Sequence, residues 1–329
     1  MANDLASFMT YMSDRFTEKL SFALRPQAAF LSAIYINPTS ETLPPNRKVT
    51  VNLASIDGDG VDALTSAPAI RDVDTTGTEL ELTKLWSLPF SFSEVDMARA
   101  WDSPKLMDNT LEQVAIKALT YANAQVSALF TTTNYNTSGN TTRTATPTAG
   151  AEMTLEEIGA LRTVLATRNV PLNDRGNLFI ITHPTIYGKW QTDSKFGYAS
   201  TVGDEFASRL RYNGSIPPIF NFLPLEDAQA PVSGTTPDFT YTTAVFHRAS
   251  AIMVSAVLPR PGGIPTSYLT IPLGNEPGQV LQIRVTADFN QNIGATGGSK
   301  TVFLAEAFMG FHVHRKNLCV LHSTVLDTP

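Results

Sequence analysis

The stretch from Ser103 to Phe130 constrains the fold of this chain more than any other. Met107, Leu111, Val114, Ala118, Ala122, Val126 and Leu129 recur at three- and four-residue steps, the spacing that lines one face of an α-helix. Ser103 suits the capping position. Pro104 suits the first turn, because the N–H that proline lacks would have found no helical acceptor there. At about 1.5 Å per residue the predicted helix is some 40 Å long. An apolar stripe of that length has to be covered along its whole extent, so the rest of the chain must be built around it as around a spine.

Before the spine the apolar period is two. Val49, Val51 and Leu53 share one face of a strand, and the alternation returns at Leu80 and Leu82 ahead of the apolar stretch Leu85 to Phe92. Between them, Ala54 to Glu79 holds Asp57, Asp59, Asp62, Asp72, Asp74 and Glu79 against the lone Arg71, with little apolar bulk to tie it to a core. It is expected to project from the body as a long hairpin. The first forty residues read as an arm, amphipathic over Leu5, Phe8, Met9, Met12, Phe16 and Leu20, then broken by Arg25-Pro26, Asn37-Pro38 and Pro44-Pro45. Nothing in the arm suggests a core of its own.

After the spine, Thr131 to Gly150 is rich in Thr, Ser and Asn and nearly uncharged, the composition of a surface loop or domain link. A second helix opens at Thr154, with Glu157 completing a capping box, Leu155, Ile158, Leu161 and Leu165 facing inward, and Pro171 marking its end. Asn177 to Thr182 reads as a short buried strand, His183-Pro184 as the start of a helical turn through Tyr187 and Trp190, and Gly203 to Tyr212 as a further helix. Ile216 to Pro224 and Tyr241 to Val257 are strand-like, and Pro259 to Pro277 is turn-rich. Two long alternating strands follow, Leu281, Ile283, Val285, Ala287, Phe289 and then Phe303, Ala305, Ala307, Met309, Phe311, Val313. Joined by the polar turn Asn290 to Lys300, they form an antiparallel hairpin. The fold class is α+β.

Composition limits what such a fold does. With 43% hydrophobic residues, 18 Phe, 9 Tyr and 3 Trp in 329 residues, the chain has enough apolar surface to offset its ordering entropy. Only 16% of residues are charged, against about 25% in ordinary globular proteins, and no apolar run reaches the 18 or so residues needed to span a bilayer. Large permanent interfaces are poor in charge, so a high-order homo-oligomer is the expectation. Thirty acidic against 24 basic residues give a net charge of −6, the opposite of the basic stripe of a nucleic-acid reader. Cys319 is the only cysteine, which excludes an intramolecular disulfide and a cysteine-based zinc site and fits a reducing compartment. Asp4, Asp14, Arg15, Glu18 and Lys19 interrupt the N-terminus where a signal peptide needs an apolar core.

No motif carries chemistry convincingly. Gly294 to Thr301 resembles a phosphate-binding loop, but Ser299 stands where glycine must precede Lys300 and both flanks read as strands. Asp57-Gly-Asp59-Gly-Val-Asp62 resembles the start of a calcium loop, yet Val61, Asp62 and Pro68 occupy positions that need a ligand, a glycine and a glutamate. His312 and His314 share a strand face and would need His322 or a carboxylate to complete a metal set; alternation with Phe311 and Val313 is what a half-solvated strand shows in any case. His247-Arg248 and His183 lack a nucleophile setting. Cys319, in the apolar run Leu318 to Leu321, reads as a buried inert thiol. No catalytic, cofactor-binding or metal-ligating residue is assigned.

The order of elements is arm, projecting hairpin, spine helix, α+β insertion and closing hairpin. It resembles the major capsid proteins of tailed bacteriophages (Caudoviricetes), the Hong Kong 97-type fold. FSFSEVDMARAW leading into the spine, GNLFIITHPTIYGKW, AVFHRASAIMV and the closing QIRVTADFNQNIGATGGSKTVFLAEAFMGFHVHRKNLCVLHS carry the resemblance over nearly the whole chain. It implies an N-terminal arm (1–45), an extended loop (46–95), a peripheral domain with the spine helix (96–150), an axial domain (151–277) and return strands of the peripheral domain (278–329). It further implies a non-enzymatic virion protein, made in the host cytoplasm. Such a protein assembles with itself in hexamers and pentamers into an icosahedral shell around double-stranded DNA held without sequence specificity, with scaffolding, portal and decoration proteins as partners and no membrane. Some capsids of this type join Lys to Asn through isopeptide bonds, and Lys48 and Lys84 lie at the hairpin base. An encapsulin-type compartment shell is the alternative within the fold, and a soluble hydrolase with a scattered triad is the alternative from another class.

Overall fold

The computed structural model describes residues 28–42, 48–56, 73–82, 84–93, 104–135, 143–144, 153–193, 216–235, 238–262, 264–273, 280–290 and 300–327. In chain order the elements are α1 (Ala29–Ala33), β1 (Tyr35–Thr42), β2 (Lys48–Ile56), β3 (Val73–Glu81), β4 (Lys84–Ser93), α2 (Pro104–Ser127), α3 (Thr132–Tyr135), β5 (Arg143–Thr144), α4 (Leu155–Thr167), β6 (Leu178–Thr182), α5 (Pro184–Thr192), β7 (Leu223–Glu226), β8 (Val232–Thr235), β9 (Asp238–His247), β10 (Ala251–Val257), β11 (Thr266–Pro272), β12 (Val280–Asn290), β13 (Lys300–Val313) and β14 (Cys319–Asp327).

The spine helix α2 has 24 residues. Its buried positions, Leu111, Val114, Ala115, Ala118, Leu119, Ala122 and Val126, keep the three- and four-residue steps of the sequence. The alanines among them let α1 and β13 approach closely. Around α2 lie two six-stranded sheets. In the first, β1, β10, β13, β12 and β11 follow in order, and β4 pairs with β13. Strand β13 organises this sheet. Along one edge it pairs with β12 over Lys300–Glu306 and then with β10 over Phe308–Val313; β4 takes the other edge over Lys300–Met309. The second sheet runs β5, β14, β9, β6, β7, with β8 also on β9.

Alternation decides which side chain serves which layer. Phe179, Ile181, Ala244, Phe246, Cys319 and Leu321 of the second sheet face the main core with the spine, α1 and the inner face of the first sheet. Their neighbours Leu178, Ile180, Val245 and Val320 face a second core under α4 and α5. Phe130, at the end of the spine, joins the layers: its ring lies 5.1 Å from Phe30, 5.4 Å from Tyr135 and 4.7 Å from Phe246, and each such pair adds about 0.5–1.5 kcal/mol beyond area burial. Helix α4 carries the predicted capping box, with both Thr154–Glu157 hydrogen bonds formed. The β12–β13 hairpin pairs from Asn290–Lys300 to Arg284–Glu306.

Several expectations change. The stretch 28–42 of the arm is not coreless: Phe30, Ala33 and Ile34 are buried in the main core, because AFLSAI is an apolar run without a charge, and β1 pairs parallel with β10. The amphipathic segment 1–27 lies outside the described residues. In the projecting hairpin, β2 and β3 pair from Lys48–Glu81 to Ile56–Val73, so both ends of the segment expected as loop are strand; 57–72 lies outside the described residues. Strand β4 belongs to the first sheet and not to the hairpin. The run 241–257 is two strands in different sheets, β9 and β10, parted by the turn Arg248–Ser250. The turn-rich stretch 259–277 contains β11. The stretch 216–224 is strand only from Leu223, behind a tight turn. The last strand, β14, leaves the first sheet and pairs with β9 in the second, because its two faces are apolar enough to serve both cores. The helix expected over 203–212 lies outside the described residues.

Candidate functional site

The arm, the spine and the second sheet meet at a buried polar knot. Asp227, directly after β7, is 5% exposed. Its Oδ2 accepts the N–H groups of Ala29 (3.1 Å) and Phe30 (3.3 Å) at the start of α1 and Asn123 Nδ2 of the spine (2.7 Å), and its Oδ1 accepts the Gln229 N–H (2.8 Å). Asn123 also donates to Gln229 Oε1 (2.7 Å) and accepts the Leu31 N–H (3.0 Å), while Ser127 Oγ donates to the Gln229 carbonyl (2.5 Å). A buried carboxylate held by several donors is tolerated only while those donors remain, since each one lost leaves desolvation uncompensated. The knot therefore fixes where the arm enters the body. Sequence reading missed it. Asn123 falls four residues after Leu119, at a buried position of the spine, and a polar residue there was the available signal.

A second knot joins the two sheets. The Ser250 carbonyl, where the chain crosses from β9 to β10, accepts the N–H groups of His314 (2.9 Å) and Arg315 (3.2 Å), where it crosses back, and the Tyr135 hydroxyl (3.4 Å). Burial pushes the Tyr135 hydroxyl well above its ordinary pKa. Before this turn, His247 accepts the Ala249 N–H at Nδ1 (3.1 Å) and meets Asp174 Oδ2 at Nε2 (3.0 Å). Hydrogen bonds from His247 and then Asn177 hold the Asp174 carboxyl below its usual range. Arg248 donates from Nη2 to the Ser32 carbonyl (3.2 Å) and lies 6.0 Å over the Phe179 ring. His247 and Arg248 are thus parts of a joint between elements.

The other singled-out residues fall in structural settings. His183 caps α5 by accepting the Thr185 N–H, and burial lowers its pKa. His312 and His314 end the first sheet, whereas His322 lies in the second, with Nε2 3.5 Å from Glu157 Oε2. Among the described residues no three His, Cys, Asp or Glu side chains gather as a metal set. The Cys319 thiol is buried and pushed well up in pKa, and Arg168 donates to its carbonyl (3.0 Å). Lys300 and Thr301 open a strand where a phosphate loop needs a helix. Asp57 to Asp62 and Gly294 to Ser299 lie outside the described residues. Lys84 is exposed at the start of β4, and Lys48 opens β2. On the outward face of the first sheet Arg284 pairs with Glu306 directly opposite. This cross-strand pair went unread because register cannot be read from one strand.

Compared with solved structures, the chain is similar to the capsid of Ralstonia phage GP4 (TM-score 0.56, 11% identity, 94% of each chain covered). It is also similar to the capsid of cyanophage P-SCSP1u (TM-score 0.54, 12% identity, 92% of this chain and 90% of that one) and to a structure from Mycobacterium phage Che8 (TM-score 0.53, 17% identity, 85% of each chain). No protein-family profile and no curated protein sequence matches it. At such identities the shared property is the fold: the chain has the α+β phage-capsid fold, the Hong Kong 97-type architecture expected from its sequence.

Proposed function

We propose that this chain is the major capsid protein of a tailed phage, a structural protein without catalysis whose copies close into an icosahedral shell around double-stranded DNA. The likeness to phage capsids over nearly the whole chain carries the reading. Two features of the chain support it. Among the described residues the β2–β3 hairpin is a two-stranded sheet that pairs with no other strand, although β3 touches β13, and a ribbon with so little cover is marginally stable in water; a neighbouring subunit supplies the surface it needs. A surface with few charges is also what a permanent multi-copy interface requires. The acidic balance fits confinement of DNA without sequence recognition, since a net-negative lining does not hold phosphate by counterion release. Hexamers and pentamers of this chain, scaffolding, portal and decoration partners, assembly in the host cytoplasm and residence in the virion complete the proposal.

Sedimentation and negative-stain imaging of the purified chain, with and without a co-expressed scaffold, test it. Shells, tubes or large assemblies are expected at micromolar concentration. Monomers or dimers alone under both conditions would overturn the reading. Particles filled with a cargo enzyme in place of DNA would point to an encapsulin-type shell, and a small monodisperse oligomer with hydrolytic turnover would point to the hydrolase.

A further inference from the structure

Between α5 and β7 the chain makes a two-residue turn closed on both sides: the Ile219 N–H donates to the Phe222 carbonyl (2.9 Å) and the Phe222 N–H to the Ile219 carbonyl (2.8 Å). The two central residues, Phe220 and Asn221, have φ of 50° and 74°, the mirror-image turn that asparagine and glycine adopt easily. Asn221 is at home there, and its Nδ2 donates to the Leu172 carbonyl (3.1 Å). Phe220 is not. A bulky side chain at positive φ is a strained outlier, and observed strain of this kind points toward a task. Core packing does not demand it: Ile219 and Phe222 on either side are buried, whereas Phe220 is 45% exposed and Leu223 beside it 37%. One edge of the ring rests near Gly159 of α4, and the rest faces outward.

We infer that the Phe220–Asn221 turn is a contact point between copies of this chain, at which the Phe220 ring, with Leu223, packs on a second copy. This rests on the shell reading above and adds the residues of one contact. The occupant follows from charge. Ile216 to Leu225, IPPIFNFLPL, contains no charged residue, although the chain carries 54 of them. In a closed symmetric assembly the same patch recurs around each axis, where like charges on identical copies would repel. An uncharged apolar tip avoids that penalty. A nucleic acid would call for Lys or Arg at the contact, and a charge-steered protein partner for a complementary charge.

The turn itself supplies a test that separates assembly from folding. Phe220→Gly relieves the positive φ, so the subunit should keep its circular dichroism and melting temperature. The concentration at which particles appear should rise by at least about tenfold, the effect of losing a central aromatic anchor, and Phe220→Tyr should restore it. Assembly of Phe220→Gly at the wild-type concentration would overturn the inference, as would a melting temperature that falls in step with particle yield. A second measurement decides even if the glycine variant fails to fold: p-benzoylphenylalanine in place of Phe220, irradiated in purified particles, should give copy-to-copy adducts. Adducts only within one chain, to DNA or to another protein would refute the contact. A wild-type chain that forms no particles sinks the shell reading, which is a distinct result from a wild type that assembles and a variant that assembles equally well.

Discussion

The two six-stranded sheets bury their faces differently. The second is covered on both sides, by the spine and aromatic cluster on one and by α4 and α5 on the other, and all five residues of β6 are buried. Among the described residues the first is covered on its inner face, whereas its outward face is covered in part: Leu82, Ile252, Val254, Ala256, Leu258 and Phe308 cluster at one end, and Thr286 and Glu306 are buried along β12 and β13. Along β4 the outward residues Leu85, Ser87, Pro89 and Ser91 are exposed. A sheet with both faces covered within the subunit belongs to folding. One whose β4 edge presents an exposed, uncharged strip beside a hairpin that pairs with no other strand among the described residues is suited to gain its cover from neighbours. Subunit stability and particle formation should therefore respond to different residues.

The spine lies in the core shared by both sheets, so its disruption should spare neither. Ala118 is fully buried in mid-helix. Ala118→Pro removes a backbone hydrogen bond and drives the ring into the preceding turn, at a cost of about 3 kcal/mol or more. The expected outcome is an insoluble or unfolded chain; a soluble variant with unchanged circular dichroism would refute the role given to α2.

Next in size is the contrast between the sheets. Ile180 is buried in the second core, and Ile180→Ala should cost about 2–5 kcal/mol by lost transfer energy and a residual cavity. Leu85, 53% exposed on β4, should tolerate Leu85→Ser within about 0.5 kcal/mol in the free subunit. Urea denaturation of the two variants measures the difference, and equal losses would erase the distinction drawn between the sheets. A smaller loss is expected for Thr154→Ala, which removes the cap of α4 at about 1 kcal/mol, again with the second sheet as the region affected.

Local patterns made these elements readable in advance. The capping box of α4, the stripe of α2 and the alternation of β12 and β13 each need only a few consecutive residues to be recognised. What escaped is what depends on distance along the chain. Ala29 meets Asp227 across 198 positions, and nothing in the sequence LEDAQA marks its aspartate as buried. The split of 241–257 between two sheets was hidden for a related reason: both halves carry strand-forming residues, and only the strand partners, Cys319 and Phe179 for Phe246 but Ile36 and Phe311 for Met253, distinguish them. Of the proposed contact surfaces, the hairpin showed as an acidic projection. The Phe220 turn did not, since φ has no sequence signature when a phenylalanine stands where glycine or asparagine is expected.

The smallest effect on the subunit, and the largest contrast with its effect on particles, is expected for the hairpin. β2 and β3 pair with each other and with no other strand among the described residues, and the segment Ala54 to Glu79 carries six acidic residues, one arginine and little apolar bulk. Replacing that segment by a short Gly-Ser linker exposes almost no core, and loop closure entropy changes only slowly with length. The subunit should stay soluble with a cooperative melt near that of the intact chain, while closed particles disappear, because the surface that the hairpin would cover on a neighbour goes bare. Arg143 and Arg162 are candidate basic partners for its acidic side chains on that neighbour. Arg168 is less available, since its guanidinium already donates to the Cys319 carbonyl. Normal particles from the shortened chain would break the division between folding and assembly at its clearest point, and an unfolded subunit would place the hairpin in the core with the spine.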